Sequence, residues 1–277
     1  MNSKCWARLS TSLVVVVWLG AVACSSYNVR PDMTAEERFE VAKLMFKNKD
    51  YRQAKMQFKL LTLNSPSAPF IDEVQFLLAE SHFRLKEYIL AADEYKRLLR
   101  LYPRSQWVDD AQFMVGMCNY KMSPNPALDQ KYTLDAVASF QRFLEDFPNS
   151  EYVPEAERLL QVCRAKLAEK EFKAGELYRR FGDYYAALVY FKSVWETYYD
   201  TKFGEPALYW KSESLYRLGR FSEALDSFRE LIIKFPKTRF RNDARQRIKN
   251  IEEELKKERA QAQATDGKNK QPEKRFQ

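Results

Sequence analysis

Apolar and polar positions along this chain recur in one register over five segments. An aromatic or threonine anchor (Tyr51, Tyr88, Thr133, Tyr184, Phe221) is followed three residues later by Ala54, Ala91, Ala136, Ala187 and Ala224. Seven past each anchor stands Phe58, Tyr95, Phe140, Phe191 or Phe228, and fifteen past it Pro66, Pro103, Pro148, Tyr199 or Pro236. Nineteen past it comes a further aromatic, in the order Phe70, Trp107, Tyr152, Phe203, Phe240. A small residue at three, a ring at seven and a proline beyond the last turn describe an apolar helical stripe with a stop, helix B of each unit. Twelve before the anchors lie Phe39, Phe76, Phe113, Phe172 and Tyr209, and nine before lie Ala42, Ala79, Gly116, Gly175 and Ser212, once eight inserted residues are allowed in the third unit. These columns predict a helix A in each unit. A small residue on A facing a small residue on B would let two antiparallel helices approach closely, with rings closing the pair above and below. No single unit of this kind can bury its apolar face alone, so the units must stack.

Two irregular intervals refine this picture. Anchors 51 and 88, and again 184 and 221, are 37 residues apart, whereas 88 to 133 is 45 and 133 to 184 is 51. The first surplus fits Ser123 to Gln130, where Pro124 and Pro126 forbid a continuous helix and predict a surface loop. The second surplus falls where no proline or glycine lies between Glu155 and Ala174. Fourteen added residues are about four turns at roughly 3.6 residues each, so a lengthened helix keeps its stripe in phase. One long helix from about Pro154 into Tyr178 is expected, a rigid joint between three repeats and two. Thr34 with Glu37 forms a capping box that starts the first helix.

The order small, small, aromatic, proline resembles the tetratricopeptide repeat, whose usual period is about 34 residues. The expected fold class is therefore all-α: an α-solenoid of five tetratricopeptide-like helix-turn-helix repeats plus a C-terminal helix. The repeats are placed at about 34–66, 70–103, 107–148, 152–199 and 203–236, with the final helix at 239–260. Residues 261–277 are polar, lack apolar periodicity, and are expected to form a disordered basic tail.

Ahead of the repeats, Lys4 and Arg8 precede an apolar run from Leu13 to Leu19 and then Gly20-Ala21-Val22-Ala23-Cys24. Residues 1–23 read as a secretory signal, too short to cross a bilayer as an ordinary helix. Small residues directly before a cysteine resemble the lipobox of bacterial lipoproteins, although Ala21 stands where that motif usually has leucine. The resemblance implies cleavage before Cys24 and attachment of acyl chains such as palmitate to it. Ser25 in place of aspartate implies sorting to the outer membrane. Several acyl chains hold firmly where one would bind only marginally, and residues 24–33 then act as a tether.

Charge changes the picture at one end only. Residues 24–233 hold 30 Lys or Arg against 31 Asp or Glu, while residues 234–277 hold 14 against 7. An exported chain meets little nucleic acid, so an acidic protein face or anionic lipid is the expected partner of that surplus. Of four cysteines, Cys5 lies in the signal and Cys24 at its end, leaving Cys118 and Cys163 in helix-A patterns. Buried free thiols are the favoured reading, and an oxidising compartment leaves a bridge open. His82 is the only histidine, no paired metal-ligand spacing occurs, and no glycine-rich turn follows a strand. No catalytic constellation, cofactor or metal is expected.

Binding is more legible. Four before each anchor sits a cation: Lys47, Arg84, Lys121, Arg180, Arg217. The resemblance to tetratricopeptide arrays implies that this column borders the concave groove, where it would suit an acidic segment or a terminal carboxylate. The same cations would also gain about 0.3–1 kcal/mol from helix C-terminal dipoles. Five before the anchors, Phe46, Phe83, Tyr120 and Tyr216 share a stripe with the aromatic column at twelve. Core packing explains most of it, and an open edge would offer apolar pockets to an extended polypeptide.

The junction strings LYPRSQWVDDA, FPNSEYVPEA and FPKTRFRNDA, together with the lipoprotein signal and five repeats, resemble the BamD family of outer-membrane protein assembly factors, which are tetratricopeptide-repeat outer-membrane lipoproteins. The resemblance implies a periplasm-facing scaffold subunit of the β-barrel assembly machine. It would bind unfolded outer-membrane proteins and the barrel subunit's periplasmic domains, beside other lipoprotein subunits. On this resemblance repeats one to three form the client side, and repeats four and five with the basic final helix the docking side. The alternative is an envelope lipoprotein that scaffolds cell-wall or division factors.

Overall fold

A computed structural model describes Tyr27 and residues 29–269, with side chains described through Gln261. The signal segment and Cys24 lie outside the described residues. Among the described residues there are eleven helices and no strand. Helices A are α1 (Ala35–Lys47), α3 (Ile71–Arg84), α5 (Val108–Met122), α7 (Val153–Arg180) and α9 (Gly204–Arg217). Helices B are α2 (Tyr51–Asn64), α4 (Tyr88–Leu101), α6 (Lys131–Asp146), α8 (Tyr184–Tyr198) and α10 (Phe221–Lys234), and α11 (Arg241–Asn269) follows. Each helix packs on the next in sequence, so the chain is a solenoid with an A layer and a B layer.

The helix starts follow from local chemistry. Thr34 Oγ1 accepts the Glu37 N–H at 3.2 Å and the Glu37 carboxylate accepts the Thr34 N–H at 3.0 Å, closing the capping box. Asp50 and Asp183 cap α2 and α8 by accepting from the N–H groups of Gln53 and Ala186. The A-to-B turn needs one left-handed residue. Gly182 (φ 80°) and Gly219 (φ 73°) supply it without steric cost, whereas Lys49 (φ 65°) and Lys86 (φ 62°) hold it against a penalty of about 1 kcal/mol.

The core corrects one detail of the expected packing. In units three and four the small residue on A seats the aromatic of B at seven, not the alanine at three. A Cβ placed on Gly116 would come within 2.6 Å of the Phe140 ring, and one on Gly175 within 2.9 Å of Phe191. Phe58, Tyr95 and Phe228, at the same position in the other units, are fully buried as Phe140 and Phe191 are, in keeping with the two columns recurring together.

The aromatics at nineteen explain the junctions. Each ring stands at the start of the next helix and lies against the aromatic at twelve of its own repeat. Phe39 stacks on Phe70 at 4.6 Å, Phe76 on Trp107 at 4.7 Å, Phe113 on Tyr152 at 4.6 Å and Tyr209 on Phe240 at 4.1 Å. Phe172 and Phe203 meet at 5.5 Å, tilted. A ring cannot cap a helix, so the Ser or Thr two residues earlier does part of that work. Ser105 Oγ accepts the Trp107 N–H at 3.2 Å and donates to Asp72 in the first turn of α3 at 2.7 Å. Ser150 does the same between Tyr152 and Asp109, and Thr238 between Phe240 and Glu205. Stack and hydroxyl bridge together form a clasp.

The third and fourth units share one long helix. α7 runs for 28 residues and buries Ala156, Leu159 and Cys163 against repeat three, then Ala168 and Phe172 against repeat four. Its lysines also hold the inserted loop: Lys166 Nζ donates to Ser123 Oγ at 2.7 Å, and Lys170 Nζ to the Leu128 carbonyl at 2.8 Å. Cys118 and Cys163 are free and buried, and burial pushes their thiols up to about 12 and about 11.

At the other end the helix outruns the expectation. α11 is helical to Asn269, so residues 261–269 are not the disordered segment that composition suggested, and residues 270–277 lie outside the described residues. The stretch KKERAQAQAT lacks an apolar stripe yet is rich in strong helix formers, and propensity alone extends the helix beyond its last core residues.

Candidate functional site

The five cations of the binding column stand along one edge of the A layer. Lys47, Arg84, Arg180 and Arg217 are the last residues of their helices and Lys121 the last but one of α5. All five are exposed. Their surroundings differ. Lys47 and Arg180 form no ion pair among the described residues, and Lys121 Nζ lies 5.9 Å from the centre of the Tyr120 ring. Arg84 donates to Glu80 at 2.7 Å and Arg217 to Glu213 at 2.9 Å, each one helical turn back.

The rings of the neighbouring column are largely occupied by packing. Phe46 meets Tyr51 at 5.2 Å, Phe83 meets Tyr88 at 5.3 Å and Tyr216 meets Phe221 at 5.8 Å, each closing its own A-to-B turn. Tyr120 packs at the margin of the cluster around Phe113 and Phe140. All four remain half-buried, so their outer rims stay open on the A-layer edge.

Two buried glutamates were not foreseen from sequence. Glu80 accepts from the Tyr95 hydroxyl and from Arg84. Burial, then the Glu80 charge, holds the Tyr95 phenol well above the ordinary tyrosine range. Glu213 is 5 % exposed and accepts from Arg217 and, at 2.8 Å through both oxygens, from Arg247 of α11. Each glutamate stands eight before its anchor, a spacing that carries a signal only when read against the exposed arginine four residues on.

Repeats four and five carry an arginine–aromatic lattice. Arg179 takes the place that the ring at minus five has in the other repeats, and its guanidinium lies 4.1 Å from the centre of Trp210 on α9. Its Nε is buried without a partner. Arg247 lies 4.5 Å from the Tyr216 ring and Arg217 5.8 Å from Tyr184. Cations over aromatic faces gain about 0.5–2 kcal/mol each while their outer N–H groups stay available.

His82 has a structural role between the first two repeats. Its Nδ1 is 2.6 Å from Glu87, whose carboxylate also takes Lys55 Nζ of α2 at 2.8 and 2.9 Å. The Lys55 ammonium, with the His82 ring, holds the Glu87 carboxyl below its usual range. Among the described residues no group of three or more His, Cys, Asp or Glu could hold a metal ion, and no helix is long and apolar enough to cross a membrane.

Comparison with solved structures returns helical-repeat proteins. Yeast Sti1, in its TPR2AB-domain complex with pHSP90, is 15 % identical, with 80 % of this chain and 84 % of that chain covered and a TM-score of 0.40. A tetratricopeptide repeat protein from Parabacteroides merdae is 15 % identical, with 82 % and 76 % covered and a TM-score of 0.35. A thermophilic TPR protein of Thermus thermophilus is 17 % identical, with 79 % and 98 % covered and a TM-score of 0.34. No curated protein matches the sequence. The family model described as YfiO, outer membrane lipoprotein, matches residues 31–223. The chain belongs to the YfiO outer membrane lipoprotein family.

Proposed function

We propose that this chain is a lipid-anchored, periplasm-facing scaffold subunit of the outer-membrane β-barrel assembly machine. Cys24 carries the lipid, and the work of the array is binding other polypeptides, not catalysis. Repeats one to three meet unfolded barrel proteins along the edge bearing Lys47, Arg84 and Lys121 with the rims of Phe46, Phe83 and Tyr120. Repeats four and five with α11 dock the barrel subunit's periplasmic domains, and other lipoprotein subunits share the scaffold. Family membership supports the envelope setting.

The observation that carries the docking half is the surplus of guanidinium groups on the A layer. Of Arg179, Arg180, Arg217 and Arg247, only the last two have an ion pair among the described residues, and both share Glu213. A partially desolvated surplus of this kind favours an acidic partner face and steers its approach. Envelopes carrying Arg180→Glu with Arg217→Glu should yield about tenfold less barrel subunit in detergent copurification. Helicity by circular dichroism should be unchanged. Undiminished copurification would overturn the docking assignment, and recovery of cell-wall or division factors in place of the barrel subunit would overturn the barrel-assembly reading.

A further inference from the structure

The B layer contains two neighbouring grooves built in opposite ways. Between α2 and α4, Lys55 reaches Glu87 at 2.8 Å and Lys59 reaches Glu94 at 3.2 Å, so charges on one wall are answered from the other. Between α4 and α6 no ion pair crosses among the described residues. There Lys96 and Arg100 of α4 face Arg142 of α6 over a groove of about 810 Å³, all three exposed and without an ion pair among the described residues. Two carboxylates also line it: Asp135, tied to Lys131 of the same helix at 2.7 Å, and Asp146, the last residue of α6. Cations on both walls repel each other unless an anion lies between them.

The floor says what kind of anion fits. It is α5, which presents Gln112 and Asn119 with buried Val115 between them. Asn119 is 7 % exposed and donates to Ser139 at 3.1 Å, while its amide oxygen accepts no hydrogen bond among the described residues. Seven residues of helix separate the two amides by about 10 Å, which is about three residues of extended chain. Lys96 and Arg100 are four residues apart, about 6 Å along α4, which matches the spacing of alternate side chains on one face of a strand. A bilayer surface cannot lower its headgroups onto a recessed floor, and a small anion would leave the paired amides and Val115 unused.

We propose that the α4–α6 groove binds an extended polypeptide segment with acidic residues at alternate positions. The carboxylates pair with Lys96, Arg100 and Arg142, and the backbone hydrogen-bonds to Gln112 and Asn119. This surface lies on the layer opposite the arginine–aromatic lattice and does not depend on the barrel-assembly reading.

The test is fluorescence anisotropy of the full-length protein with a labelled ten-residue peptide of alternating Glu and Leu. Arg100→Glu with Arg142→Glu should weaken binding about tenfold or more. Ala138→Trp, which fills the groove from an exposed wall position without changing charge, should weaken it comparably. Lys249→Glu with Lys256→Glu on α11 makes the same net charge change elsewhere and should leave affinity within about twofold. Equal loss in both charge-reversed proteins would reduce the effect to net charge and overturn the proposal. So would retention of binding by Ala138→Trp, or groove-dependent binding of phosphatidylglycerol vesicles that the peptide does not displace.

Discussion

Repeats two and five solve the same local problem with different partners. Both place a buried glutamate eight before the anchor and an arginine one turn later, Glu80 with Arg84 and Glu213 with Arg217. In repeat two the second carboxylate oxygen is taken by Tyr95, on the helix B of the same unit. In repeat five it is taken by Arg247, which belongs to α11. One carboxylate therefore closes its own repeat, and the other ties its repeat to the next element. The difference shows how one register can carry both a self-contained unit and a unit whose stability depends on the end of the array.

The largest effect should come from cutting the outward-looking network. Glu213→Ala removes the buried carboxylate that Arg217 and the partly buried Arg247 share, leaving Arg247 uncompensated, and should destabilise the protein by about 3 kcal/mol in denaturant melts. Amide exchange should accelerate along α11 while α3 is unaffected. Uniform acceleration over both helices would erase the contrast between the repeats. A smaller loss is expected from Glu80→Ala, about 2 kcal/mol, because the fully buried Tyr95 hydroxyl loses its acceptor while the half-exposed Arg84 turns to water. Here exchange should rise in α3 and α4 only.

The smallest effect concerns the bridge from repeat one to repeat two. Glu87 titrates below its ordinary 4.5 because Lys55 and His82 favour the ionised form. A depressed folded value means that the stabilisation is present above about pH 4.5 and is lost as pH falls through the folded value. Glu87 is about a third exposed, so the contribution is discounted for solvent screening to about 0.5 kcal/mol. Wild type and Glu87→Gln should differ by that amount at pH 7 and converge below pH 4.5. A gap that persists in acid would mean that Glu87 acts through packing.

The register was legible because every column corresponds to a contact of fixed sequence separation. The ring at seven sits on the small residue at minus nine, and the ring at nineteen lies on the ring at minus twelve, so neither can drift without opening the core. The long α7 was legible for the same reason, as an insertion that preserves phase. The buried glutamates were not. Tyr95 is fifteen residues from Glu80 and Arg247 is thirty-four from Glu213, and nothing in a helical stripe says which of several acids will be turned inward. The stacking of Arg179 on Trp210 was hidden likewise, because it joins two A helices through side chains alone. Exposure of the cation column was readable from its place at helix ends, but its division into paired and unpaired members was not.

The clasp at the junctions has a consequence for how such an array changes length. Asp72 and Phe76 fall within one unit, Ser105 in the linker that follows it and Trp107 at the first residue of its successor. A duplicated copy would bring its own fastener, and a deleted one would take it away, with no neighbour needing a compensating substitution. Growth or loss of whole units is in this sense built into the seam, and the chain behaves as a string of interchangeable links.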